Sequence, residues 1–128
     1  MKPFLRIAVV CLALAAPTAT FAAGLSPVGQ WEVTSGESRY RVSYCGEGKQ
    51  LCAKLTWLRD DAKTDENLAL LGNFIVRGAT PAEDNTWTGT VTYEGQTYDG
   101  RVTLVSSDAM RLESCSGIFC RSFELRRR

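Results

Sequence analysis

The chain has 128 residues, 15 basic against 14 acidic, and no histidine. That is one domain's length, and a formal charge of +1 argues against nucleic acid, which demands a basic face. Without histidine, Ser–His–Asp and Cys–His nucleophile activation are excluded and the commonest transition-metal ligand is missing.

The first segment reads as an address. Lys2 and Arg6 precede the apolar run Ile7 to Ala16, and Thr20-Phe21-Ala22 offers a small-residue cleavage site. This order is that of a secretory signal peptide over residues 1–22, with an apolar core too short to span a membrane. An uncleaved anchor is the alternative. Cys11 lies inside the apolar run, without the small residue expected before a lipidated cysteine. Cleavage after Ala22 removes 22 of the 128 residues and leaves a single domain, 23–128, with no membrane span. Four cysteines remain in it, Cys45, Cys52, Cys115 and Cys120. An even set in an exported chain implies disulfides, and their C-x6-C and C-x4-C spacings favour that reading over zinc. Spacing alone does not choose among the three connectivities.

Trp31 and Val33 alternate with Gln30, Glu32 and Thr34 in a first strand, and Ser35-Gly36 supplies a turn. Ser38 to Leu58 then reads as a hairpin. Tyr40, Val42 and Tyr44 share one face of its first strand; Leu51, Ala53, Leu55 and Trp57 share one face of its second. Setting Cys45 opposite Cys52 places Tyr44 against Ala53, Val42 against Leu55 and Tyr40 against Trp57. Arg59 to Asn73 breaks the alternation. There Thr64 can cap a short helix, Asp65 and Glu66 fill its first turn, and Gly72 can end it, making a flap between strands.

Phe74 to Arg77 predicts a brief fourth strand, and Gly78 to Thr86, with Pro81, a loop. From Trp87 to Leu104 alternation returns, with Trp87, Gly89, Val91 and Tyr93 on one face. Gly95-Gln96 suits a type II′ turn that sets Tyr93 against Tyr98, although a slip of two residues keeps the same faces. In the last hairpin, Cys115 opposite Cys120 places Arg111 against Glu124, Leu112 against Phe123 and Met110 against Leu125. The matched registers favour Cys45–Cys52 and Cys115–Cys120, each worth about 2 to 2.5 kcal/mol in a domain this small. Arg126-Arg127-Arg128 reads as a solvated end. Eight antiparallel strands in all-β order predict an up-and-down barrel with one short helix in an inserted loop; a two-sheet sandwich is the alternative.

The inward face is aromatic: Trp31, Tyr40, Tyr44, Trp57, Trp87, Tyr93 and Tyr98. Such residues fill a core or line a pocket, since Trp and Tyr carry polar handles that need partners. Gly89, Gly100 and Ala53 are small inward positions that leave space or mark bends. Arg121 falls on the apolar face between Phe119 and Phe123, opposite Ser114, and needs a carboxylate, a carbonyl or an anionic ligand. Asp60, Asp61, Asp65 and Glu66 crowd the flap, but their spacing matches no calcium loop and reads as solvated helix-capping charge.

Ser26-Pro27-Val28-Gly29-x-Trp31, Cys45-Gly46 before Leu51-Cys52, and Cys115-x-Gly117-Ile118-Phe119-Cys120-Arg121 together resemble the bacterial family called domain of unknown function 2147. The resemblance covers nearly the whole mature chain, with a departure at Leu125, where a tryptophan is usual. It implies a small exported protein of Gram-negative bacteria, periplasmic or secreted, with a lipocalin-like barrel and no established activity, and it supplies no catalytic residues. The expectation is therefore a non-enzymatic barrel without cofactor or metal, binding a small apolar or amphipathic molecule that reaches Trp57 or Trp87 and sets its headgroup at Arg121. The alternative is a protein-binding module, such as an envelope-enzyme inhibitor, acting through Arg59 to Asn73.

Overall fold

Alternating apolar and polar side chains pair off into eight antiparallel strands: β1 (Gly29–Val33), β2 (Ser38–Cys45), β3 (Gln50–Leu58), β4 (Phe74–Glu83), β5 (Thr86–Tyr93), β6 (Gln96–Leu104), β7 (Ala109–Ser116) and β8 (Phe119–Arg127). They come from a computed structural model that describes residues 25–93 and 95–128, so the expected signal peptide at 1–22 lies outside the described residues. Each strand pairs with the next, and β8 returns to β1 to close the barrel. Closure removes every sheet edge and rules out the sandwich. Between β3 and β4 the chain forms a 3-10 turn (Asp60–Ala62) and a short helix, α1 (Asp65–Leu70). The Thr64 hydroxyl caps α1 by accepting the Asn67 amide at 3.2 Å.

The β7–β8 hairpin has the register that its residue pattern predicts. Cys115 faces Cys120, Leu112 faces Phe123, Met110 faces Leu125, and Arg111 bonds Glu124 at 2.6 Å outside. The β2–β3 hairpin does not. Its register is displaced by two residues, so Cys45 faces Gln50, Ser43 faces Cys52, Tyr44 faces Leu51 and Val42 faces Ala53. Both disulfides nevertheless form as expected, Cys45–Cys52 and Cys115–Cys120, the first reached diagonally across a 5.9 Å Cα separation. A two-residue slip preserves the faces, so apolar pattern alone could not detect it. The β5–β6 hairpin shows the same displacement. Tyr93 pairs with Gln96, which puts Gly95 second in the turn rather than first. Tyr93 and Tyr98 are then diagonal neighbours, and their rings stack with centroids 4.5 Å apart.

A bulge at Arg39/Tyr40 overturns one expectation outright. The extra residue on β3 reverses its parity, so Leu58 rather than Trp57 turns inward. Trp57 lies outside, opposite Arg39, whose guanidinium sits 3.9 Å from the ring centroid. Arg39 also bonds Glu32 at 2.8 Å and holds that carboxyl below the ordinary carboxylate range. Strand β4 is a second correction. It runs on to Glu83 through the segment expected to be a loop, with Pro81 opposite Trp87 beside a register shift. Proline is tolerated in sheets at such irregularities. A further shift around Ile75 lets Ile75 and Val76, adjacent in sequence, both be buried.

Gly89 and Gly100 face each other across β5 and β6, but neither opens space. A Cβ on Gly89 would stand 3.0 Å from the Ala79 Cα, and one on Gly100 would run into the Val91 side chain. They mark a close approach of β4, β5 and β6. Because backbone sets the Gly89 limit, Gly89→Ala is expected to cost about 1–3 kcal/mol in urea unfolding, as overpacking does. An unchanged midpoint would mean that β4 shifts freely.

One end of the barrel is plugged. Trp31 is fully buried there, its indole N–H donating to the Pro27 carbonyl at 2.8 Å, and Pro27 is itself buried. The arginine tail is exposed at Arg126 and Arg128 but is tied down by bonds to the barrel end. Arg127 lies 4.4 Å from the Trp31 ring centroid and donates to the carbonyls of Ser26, Val28 and Ser107; Arg128 bonds Glu32. Gly29, at φ +143°, makes room for this clasp, since a Cβ there would meet Arg127 Nη1 at 2.8 Å.

Candidate functional site

The plug leaves the barrel hollow above it. Leu51, Met110 and Leu125 form the floor of a cavity of about 310 Å³. Its walls are inward positions of the strands, among them Val42, Ala53, Leu55, Val76, Val91 and Phe123. At the end opposite the plug it reaches the β1–β2 turn at Ser35 and Glu37, where the flap contributes Ala62, Asn67 and Leu70. The Asn67 side-chain amide donates to the Ala62 carbonyl at 2.9 Å, tying α1 to the 3-10 turn before it.

Polar groups gather near this mouth. Ser38 is buried and donates to the Tyr40 hydroxyl at 3.0 Å. Burial pushes the Tyr40 phenol up from its ordinary range, so it stays neutral and keeps a proton to donate. On the other side the hydroxyls of Tyr93 and Ser114 are bonded at 3.2 Å. Arg121, opposite Ser114 on β8, also lines the cavity. Its guanidinium makes no ion pair with any described residue.

Of the residues expected to line a pocket, Tyr40, Tyr93 and Arg121 do so together. Tyr98 lies beside them in an adjoining cleft. Trp31 and Trp87 point inward but stand apart from the cavity, Trp87 donating its indole N–H to the Lys49 carbonyl at 3.2 Å. A ligand in the cavity would thus not touch Trp57 or Trp87. Tyr44, opposite Leu51 near the β2–β3 turn, is 46% exposed and does not line the cavity, and Trp57 is outside. Pattern reading overlooked Ser38 and the flap residues Asn67 and Leu70. The signal for Ser38 was faint, a serine on the inward parity of Tyr40 and Val42.

An eight-stranded closed barrel, plugged at one end and hollow toward the other, defines the class as small, cavity-bearing β-barrels. Residues 29–127 match the family model described as "Uncharacterized protein conserved in bacteria (DUF2147)", and the chain belongs to that family. Among solved structures it is similar to a redesigned beta barrel, at 15% identity and a TM-score of 0.50, over 84% of this chain and 93% of that one. That likeness is one of fold alone. No curated protein matches the chain.

Proposed function

We propose that this protein is a non-enzymatic binding barrel of the cell envelope that holds a small apolar or amphipathic molecule in its interior. The observation that supports this most is the cavity of about 310 Å³, apolar in floor and wall and polar at its mouth. Ligand sites have this composition, and the volume stands at the small end of their usual range of about 300–1,000 Å³. At about 30 Å³ per water-sized group, it takes roughly ten such groups, the size of one medium alkyl chain. The two disulfides suit an oxidising compartment, in keeping with export.

The test is native mass spectrometry of protein isolated from its own host, with displacement of a fluorescent fatty-acid probe by decanol and decanoate. Intrinsic tryptophan fluorescence is a poor reporter, because none of the three indoles lines the cavity. Burying a few hundred Å² of ligand at about 25 cal/mol per Å² supports roughly micromolar affinity after association costs. A saturable one-to-one titration is expected. No retained ligand and no saturation by any amphiphile would overturn the proposal. A protein-binding role would then lead, for which the exposed Ile118 (91%) and Phe119 (79%) at the β7–β8 tip supply an apolar contact.

A further inference from the structure

A second cleft, of about 180 Å³, adjoins the mouth on the side of β5 to β8 and is lined by Tyr93, Tyr98, Ser114, Ser116, Phe119 and Arg121. Tyr93 and Arg121 belong to both spaces and form the partition between them. Aliphatic side chains and Phe123 line most of the larger space, with Glu37, Ser38 and Tyr40 toward its mouth; a guanidinium, two phenols, two serine hydroxyls and the Phe119 ring line the smaller one.

Tyr93, Tyr98 and Ser114 are positioned by other side-chain contacts, whereas Arg121, like Ser116, has no side-chain partner among the described residues. The Tyr93 and Tyr98 rings are stacked, the Tyr93 hydroxyl is bonded to Ser114, and the Tyr98 hydroxyl donates to Gln96. Phe123 packs edge-on against Tyr93, with centroids 6.3 Å apart. The β5–β7 side of the cleft is thus held by side-chain contacts. Arg41 and Arg101 are also outside any ion pair among the described residues, and all three arginines are exposed, but Arg41 and Arg101 alternate with the inward residues. Arg121 instead has the inward parity of Phe123 and Leu125 and fronts an apolar chamber. A guanidinium offers five donors in a planar fork that matches a carboxylate or a phosphate.

We infer that the cleft is a headgroup compartment, and that the ligand is a single-chain amphiphile with a compact anionic head. The head sits at Arg121 within reach of the Ser116 hydroxyl, and the chain passes Tyr93 into the barrel. This rests on the cavity being the ligand site, as proposed above. The two compartments make different demands on one molecule: the apolar chamber selects chain length, and the cleft selects charge.

The experiment compares decanoate, decyl phosphate and decanol, by calorimetry at fixed ionic strength and pH 7.5, on wild type, Arg121→Gln and Ser116→Phe. Hydrogen bonds to a charged group are strong enough that decanoate or decyl phosphate should bind about 10- to 100-fold tighter than decanol. Whichever anion gains more identifies the head as carboxylate or phosphate. Arg121→Gln should erase that preference and change decanol binding less than about twofold. Ser116→Phe, which fills the cleft without altering charge, should do the same and covers the case in which Arg121→Gln fails to fold. Equal affinities for the three ligands in wild type, or an equal loss for all three in both variants, would overturn the headgroup assignment while leaving the cavity as a binding site. No binding of any of them would overturn both.

Discussion

Trp31→Ala is expected to destabilise the protein by about 3–5 kcal/mol, the range for removing a large aromatic from a packed interior. Trp31 is fully buried, so no part of its ring is hydrated in the folded state. Its loss also leaves the Arg127 guanidinium without the ring beneath it, and the Pro27 carbonyl without its indole donor. Domains of this size are stable by about 5–15 kcal/mol, so the change removes a large fraction of the total. At roughly 4–8 °C per kcal/mol, the melting temperature should fall by more than about 12 °C. Trp57→Ala is the control. Trp57 lies outside the barrel under Arg39, both half-buried, and a cation–π contact near the surface contributes about 0.5–1 kcal/mol. Urea unfolding of the two variants measures the contrast. Equal losses would mean that Trp31 does not plug the barrel.

Ala53→Phe is expected to abolish ligand binding while leaving the fold intact. Ala53 is a small residue on β3, opposite Val42, and its side chain borders the cavity. Phenylalanine there has empty volume to enter, which distinguishes it from Gly89→Ala, where a neighbouring backbone stands in the way. An aromatic side chain covers about 150 Å² or more, and the ligand would lose a comparable contact. At about 25 cal/mol per Å² that is about 4 kcal/mol, more than a 100-fold loss of affinity. Probe displacement gives the affinity, and circular dichroism with thermal melting reports the fold. Unchanged binding in a folded Ala53→Phe protein would place the ligand outside the barrel.

Much of the architecture is written locally. Alternation along Gln30–Val33, Ser38–Cys45 and Gln50–Leu55 sets strand and face, because successive side chains point to opposite sides. Thr64 before Asp65-Glu66 starts the flap helix, its hydroxyl accepting from one of the first free amides, that of Asn67. The last hairpin shows its full register in sequence: opposite charges, apolar pairs and the two cysteines agree on one alignment. The count of eight short antiparallel strands pointed to a closed barrel, which the fold shows, but left both a packed core and a hollow open.

What sequence could not decide is whatever depends on one residue more or less. A two-residue slip at Cys45–Cys52 leaves every face unchanged, and a cystine spans either a direct or a diagonal pair, so pattern and chemistry permit both registers. A single bulged residue near Tyr40 does the reverse. It carries Trp57 from the interior to the surface, although composition and spacing around it look uniform. The hollow itself is a tertiary outcome. Trp31 and Trp87 share an inward face with Tyr40 and Tyr93, yet the first two take no part in lining the chamber and the second two border it. Position along the barrel axis separates plug from wall, and that position is set by the stagger of eight strands around a closed sheet. Local alternation carries no record of it.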